Sequence, residues 1–145
     1  MTLDEVRAQR GALQTEEDSV SFVRRVVQGR LDIARDEIRR RASGEAPQQD
    51  VTDGITRVFA NERGSGSTRP PRDTEIAADH QLMRDLEKLC DSIGFGALRD
   101  LDDAELDACV QKLADFESVV SARRKALFSE IDALSTELVR RYRTS

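Results

Sequence analysis

The stretch EDSVSFVRRVVQGRLDIARDE, residues 17–37, places Glu17, Ser21, Arg24, Gln28 and Asp32 at successive steps of four, three, four and four. On a helix turning about 100° per residue, these five polar groups share an arc of roughly 80°, a single stripe about four turns long. Arg presents a rigid fork of donors that matches phosphate, or the O6 and N7 acceptors of guanine. A carboxylate does the complementary job, accepting two N–H bonds from the Watson–Crick edge of guanine. Ser and Gln suit phosphate or ribose oxygens. Aromatics make up only 4% of the chain, so base faces would stack on one another or on Arg planes. A guanine nucleotide with phosphates and internal symmetry fits this donor and acceptor set.

The stripe recurs at an offset of one hundred residues. Glu117, Ser121, Arg124 and Asp132 repeat Glu17, Ser21, Arg24 and Asp32, and Phe128 stands where the first copy has Gln28. Phe can stack or pack but cannot make the hydrogen bonds of an amide. Val20, Glu37, Arg40 and Arg41 recur as Val120, Glu137, Arg140 and Arg141, and the apolar positions Val27, Leu31, Ala34 and Ile38 recur as Leu127, Ile131, Leu134 and Leu138. One such stripe alone reads most simply as a solvated face whose spacing-four ion pairs contribute roughly 0.2–0.5 kcal/mol each. Recurrence of four of its five positions favours a shared ligand instead.

The elements that carry these residues are helical. Thr2 and Glu5 make a capping box, and apolar spacing continues to about residue 42, so a long helix is expected over 1–42, with an irregularity near Gly11. Residues 43–73, rich in Gly, Pro, Ser and charge, read as a flexible linker in which TRVFA is at most a short docked piece. Leu82, Leu86, Leu89 and Ile93 form one face of a shorter helix over 74–93, ended by Gly94 and Gly96. Asp102 and Glu105 cap a second long helix over 102–143. No segment alternates with period two. The expectation is an all-α chain of one domain, 1–145, whose two long helices pair along their seams as a coiled coil with the shorter helix between them in sequence. The linker length permits either direction of pairing. A compact ligand with two-fold symmetry shared by both stripes requires the antiparallel one. Phe22, Val26 and Ile33 form a second apolar line on the first helix, suited to the middle helix or to a partner.

Composition agrees with long helices rather than a thick core: 35% of residues are charged, 38% hydrophobic, and Trp is absent. A net charge of −5 argues against direct DNA or RNA binding, which needs a broad positive field, but leaves room for a small anionic ligand on a local cluster. The Arg-rich choice of cations suits forked recognition and would follow equally from a GC-rich genome. Cys90 and Cys109, without metal-site spacing, read as reduced thiols on helices. With neither signal peptide nor membrane span, a cytoplasmic protein is expected. His80 has no ligand partners at metal spacing, GSGS lacks the lysine of a P-loop, and the DLDDAE run lacks the periodicity of a calcium loop. No metal, catalytic nucleophile or general base is expected.

The pattern Glu, three residues, Ser, two residues, Arg, three residues, Gln, three residues, Asp resembles the signature of the RsiG family, cyclic-di-GMP-dependent anti-sigma factors of actinobacteria. Glu17, Ser21, Arg24, Gln28 and Asp32 match it fully, and Glu117, Ser121, Arg124 and Asp132 match it save at Phe128. The resemblance covers both long helices and not the middle of the chain. It implies an antiparallel coiled coil, binding of cyclic-di-GMP as a dimer of the dinucleotide with these nine residues as its ligands, and sequestration of a sigma factor of the WhiG or flagellar type, so that genes of sporulation stay off. The competing reading is a ligand-independent coiled-coil adaptor or oligomerisation module. An enzyme acting on cyclic dinucleotides is the weakest of the three, because hydrolysis needs a metal cluster or a placed base.

Overall fold

A computed structural model describes residues 1–44 and 79–144 of the chain. The expected connector, TRVFA and the start of the middle helix at 74 fall outside these residues, apart from Ser43 and Gly44. Three α-helices are present: α1 (Leu3–Ser43), α2 (Gln81–Ile93) and α3 (Asp103–Thr144), with a 3₁₀ segment, Phe95–Asp100, between α2 and α3. No strand occurs among the described residues. No described helix is long and apolar enough to cross a membrane.

Local chemistry sets the helix ends. Thr2 Oγ1 accepts the Glu5 N–H at 3.1 Å while Glu5 Oε2 accepts the Thr2 N–H at 3.1 Å, which satisfies two of the otherwise orphaned donors of the first turn. Asp102 and Glu105 repeat this arrangement at α3, with distances of 2.7 and 3.1 Å. Helix α1 runs without a break through Gly11, where the sequence suggested an irregularity. At α2 the cap is His80, whose Nδ1 accepts the Leu82 N–H at 3.0 Å, while its Nε2 lies 2.6 Å from Glu16 Oε1 on α1. Helix α2 ends at Gly94, with φ 72°, a left-handed conformation that L side chains rarely adopt. A Cβ there would also lie 3.1 Å from the Leu101 side chain.

The two long helices are antiparallel. Arg10 pairs with Ser135, Ser21 with Arg124, Arg24 with Ser121 and Gln28 with Glu117, so the two residue numbers of each pair sum to 145. Combined with the hundred-residue repeat, this register defines a pseudo-two-fold axis across the pair. It passes between residues 22 and 23 of α1 and between 122 and 123 of α3. Along the seam, Val20, Val23, Val27, Leu31 and Ala34 are buried with Leu106, Cys109, Leu113, Val120 and Leu127. Ile38, Leu134 and Leu138 are only half-buried; the register sets Leu134 and Leu138 level with Gly11 and Arg7, which offer little apolar surface.

Helix α2 breaks the symmetry. Its Leu86 and Cys90 are buried, and Leu82, Met83, Leu89 and Ile93 pack around them. Val26 and Ile33 of the second apolar line join this core, whereas Phe22 stays half-buried outside it. Arg30 ties α2 down by donating to Glu87 Oε1 at 2.6 Å and to Cys90 Sγ at 3.3 Å, with its guanidinium 5.8 Å from the Phe95 ring centroid. Because Glu16 meets His80 and Arg30 meets Cys90, α2 runs in the same direction as α1. The counterparts of Phe22, Val26 and Ile33 on α3 are Ala122, Ala126 and Ala133, all exposed. The second copy lacks the bulk with which to dock a helix there. Burial pushes both cysteine thiols above their ordinary range, so they stay protonated at neutral pH.

A repeated ion cluster closes each long helix. Glu37 is buried and paired with Arg40 and Arg41, and Arg41 reaches on to Asp103 Oδ1 at 3.0 Å and the Leu98 carbonyl at 3.1 Å, fastening the end of α1 to the start of α3. Burial alone would raise the Glu37 pKa, but hydrogen bonds from both arginines outweigh it and hold the carboxyl below the usual range. Its half-buried copy, Glu137, is held at about 2 by hydrogen bonds from Arg140 and Arg141.

Two outcomes are expected. Leu127→Ala should lower unfolding stability in urea by about 2–5 kcal/mol, and Leu138→Ala by well under that; equal losses would contradict the burial pattern. Both glutamates have folded-state pKa values below their unfolded ones, so their stabilisation is complete above the unfolded value and is lost as pH falls through the folded one. The melting temperature should therefore drop from near pH 4.5 towards about 2, and less steeply in Glu37→Gln and Glu137→Gln. An unchanged acid slope in both variants would refute the assignment.

Candidate ligand-binding site

Seven of the nine stripe residues meet on one side of the helix pair, around the pseudo-two-fold axis. Arg24 Nε donates to Ser121 Oγ at 3.1 Å, and Ser121 Oγ donates to Glu117 Oε1 at 2.7 Å. The symmetric set has Arg124 Nε donating to Ser21 Oγ at 2.9 Å and Ser21 Oγ donating to Glu17 Oε1 at 2.6 Å. Each arginine also pairs with the glutamate of the opposite helix, Arg24 with Glu117 at 3.6 Å and Arg124 with Glu17 at 3.4 Å. Every half-site therefore takes its Glu and Ser from one helix and its Arg from the other.

This crossing follows from the local helix geometry. Steps of four and three bring Glu, Ser and Arg of one helix onto the same face. The antiparallel register then slides the Arg of each copy opposite the Ser of the other. Each arginine commits only its Nε to these contacts; among the described residues, the two Nη groups of both guanidiniums make no hydrogen bond. With Arg24 and Arg124 about one-third exposed, four N–H donors on each remain available to phosphate or guanine acceptors.

The fourth stripe position divides the halves. Gln28 Nε2 donates to Glu117 Oε1 at 3.4 Å. Phe128 has no amide, and in its half the donor is Gln14 of α1, whose Nε2 reaches Glu17 Oε2 at 3.2 Å. The position equivalent to Gln14 on α3 is Ala114, so each half holds a single amide from a different place on α1. The Phe128 ring instead lies under Arg124, whose guanidinium carbon is 4.6 Å from the ring centroid. The Glu17 side chain is also the more enclosed of the two glutamates, 7% exposed against 23% for Glu117. Gln14 escaped the sequence reading because it precedes the repeated block; its spacing of three before Glu17 is the signal that could have found it.

Asp32 and Asp132 are not part of this network. Both are exposed and form no hydrogen bond or ion pair with the described residues. By register they lie at opposite ends of the stripe, each about 14 Å from the axis at 1.5 Å rise per residue. They flank the network rather than join it.

No curated protein matches the sequence. Residues 1–58 match the model of the family described as RsiG-like. Those residues hold α1 and the complete first motif, and over them the chain is similar to the RsiG-like family.

Proposed function

We propose that this chain is an anti-sigma factor that binds cyclic-di-GMP across its two long helices and, so loaded, sequesters a sigma factor of the WhiG or flagellar type, keeping sporulation genes off. The family match supports the coarser half, since RsiG-like proteins are regulatory, non-enzymatic anti-sigma factors. The observation that carries the ligand is the crossed pair of Arg–Ser–Glu chains about a pseudo-two-fold axis. Cyclic-di-GMP has two guanines, two phosphates and two-fold symmetry. A dimer of the dinucleotide would extend such a guest towards Asp32 and Asp132.

In this reading, the Nη groups of Arg24 and Arg124 take phosphate or the O6 and N7 edge of guanine. Asp32 and Asp132 accept N–H bonds from Watson–Crick edges, and the Ser and Glu residues orient the arginines. Four carboxylates against two guanidiniums leave the named residues net negative. Long-range attraction therefore contributes little, and recognition rests on short contacts. Those contacts use the Nη groups while each Nε stays with its Ser and Glu, so only what they gain over the water they displace appears as affinity.

A second reading has its own observation. The network is satisfied without any ligand, and no buried side-chain polar atom among the described residues lacks a partner. A ligand-independent coiled-coil adaptor would need nothing more.

Calorimetry separates the two. Arg24→Ala should weaken cyclic-di-GMP binding about tenfold or more, and Arg24→Ala with Arg124→Ala by about two orders of magnitude or more, at unchanged helicity. Equal binding by the wild type and the double variant would place the ligand elsewhere, and no heat with any guanine nucleotide would favour the adaptor. Co-purification with a flagellar-type sigma factor should require cyclic-di-GMP. Capture regardless of the ligand would remove the switch from the proposal, and no capture of any sigma factor would remove the anti-sigma role.

A further inference from the structure

We infer that Phe128 is a positioning residue of the ligand site, its ring holding the Arg124 guanidinium in place, so that the two halves of the site load unequally. The inference rests on the cyclic-di-GMP reading above. Phe128 is 38% exposed and takes no part in the hydrophobic core, so core packing does not explain an aromatic side chain there. What it does touch is Arg124, four residues earlier on the same face of α3, at 4.6 Å from ring centroid to guanidinium carbon.

The two arginines are consequently held to different degrees. Arg124 has three restraints: Ser21 at 2.9 Å, Glu17 at 3.4 Å and the ring beneath it. Among the described residues, Arg24 has only Ser121 at 3.1 Å and Glu117 at 3.6 Å, both longer. A long, freely rotating side chain loses rotamer entropy when a ligand fixes it, and one already fixed loses less. The ring also leaves the outer guanidinium donors unused, because a cation–π contact engages the plane of the group and not its N–H bonds. Gln14 supplies Glu17 with the amide contact that Phe128 cannot make, so the exchange of Gln for Phe leaves no carboxylate short of a donor. The half built on Arg124 is therefore the preorganised one and takes ligand first.

The test uses the full chain, titrated calorimetrically with cyclic-di-GMP, together with the ¹H–¹⁵N signal of Arg124 Nε–H in the ligand-free protein. Phe128→Leu should weaken binding about two- to fivefold, the range an exposed cation–π contact supports. Phe128→Tyr, which keeps a ring, should bind as the wild type does. In an Arg124→Ala background, Phe128→Leu should change nothing further, because the ring acts through that arginine. Arg124→Ala should cost more affinity than Arg24→Ala. The Arg124 signal, shifted upfield by the ring in the wild type, should move towards that of Arg24 in Phe128→Leu. Additive losses from Phe128→Leu and Arg124→Ala, or an Arg124 signal indifferent to Phe128→Leu, would overturn this inference and leave the ligand reading standing. No heat from the wild type, with the signal behaving as expected, would overturn the ligand reading and the positioning role with it.

Discussion

The register of α1 against α3 is the constraint on which everything else depends. Only when residue numbers across the pair sum to 145 does Arg24 meet Ser121 while Arg124 meets Ser21. A shift by one residue would move a side chain by about 1.5 Å along the axis and 100° around it, which breaks both chains at once. Hydrophobic seams alone specify such a register weakly, since a Val or Leu packs nearly as well against the next one. Polar pairs that match in one alignment are the better-attested means of fixing it. Here they occur at three levels: Arg10 with Ser135, the crossed site itself, and Arg41 with Asp103 and the Leu98 carbonyl.

The site residues thus have a structural role whether or not a ligand is bound. Each glutamate is satisfied by a serine hydroxyl, an amide and an arginine, so the stripe residues hold one another in place. Leaving the buried Glu17 carboxylate without partners would cost more than its bonds return.

The hundred-residue repeat supplies the symmetry, and the differences between its two copies reduce it in a consistent way. Helix α2 docks on the line of Val26 and Ile33 and is held by Arg30 and Glu16; the same line on α3 is alanine, with Glu130 in place of Arg30. One flank of the pair is therefore closed by the chain itself and the other presents small side chains to solvent. The change from Gln28 to Phe128 belongs to the same divergence, with Gln14 as its counterweight.

Much of this was determined by the sequence alone. Capping boxes at Thr2 and Asp102, Gly94 after α2 and the spacing of Val27, Leu31 and Ala34 are local signals, and each specifies a helix end or face without reference to the rest of the chain. The hundred-residue repeat added the pairing of the long helices and named the stripe. Other features depended on contacts between residues far apart in the chain. The antiparallel direction was expected from a symmetric guest and from the resemblance; only the tertiary structure decided its register, that each half-site mixes two helices, that Asp32 and Asp132 lie at the outer ends, and that His80 caps α2 while facing Glu16. Helical periodicity states which side of a helix a residue lies on; what it meets there depends on how two helices slide past one another, a degree of freedom that no local pattern constrains.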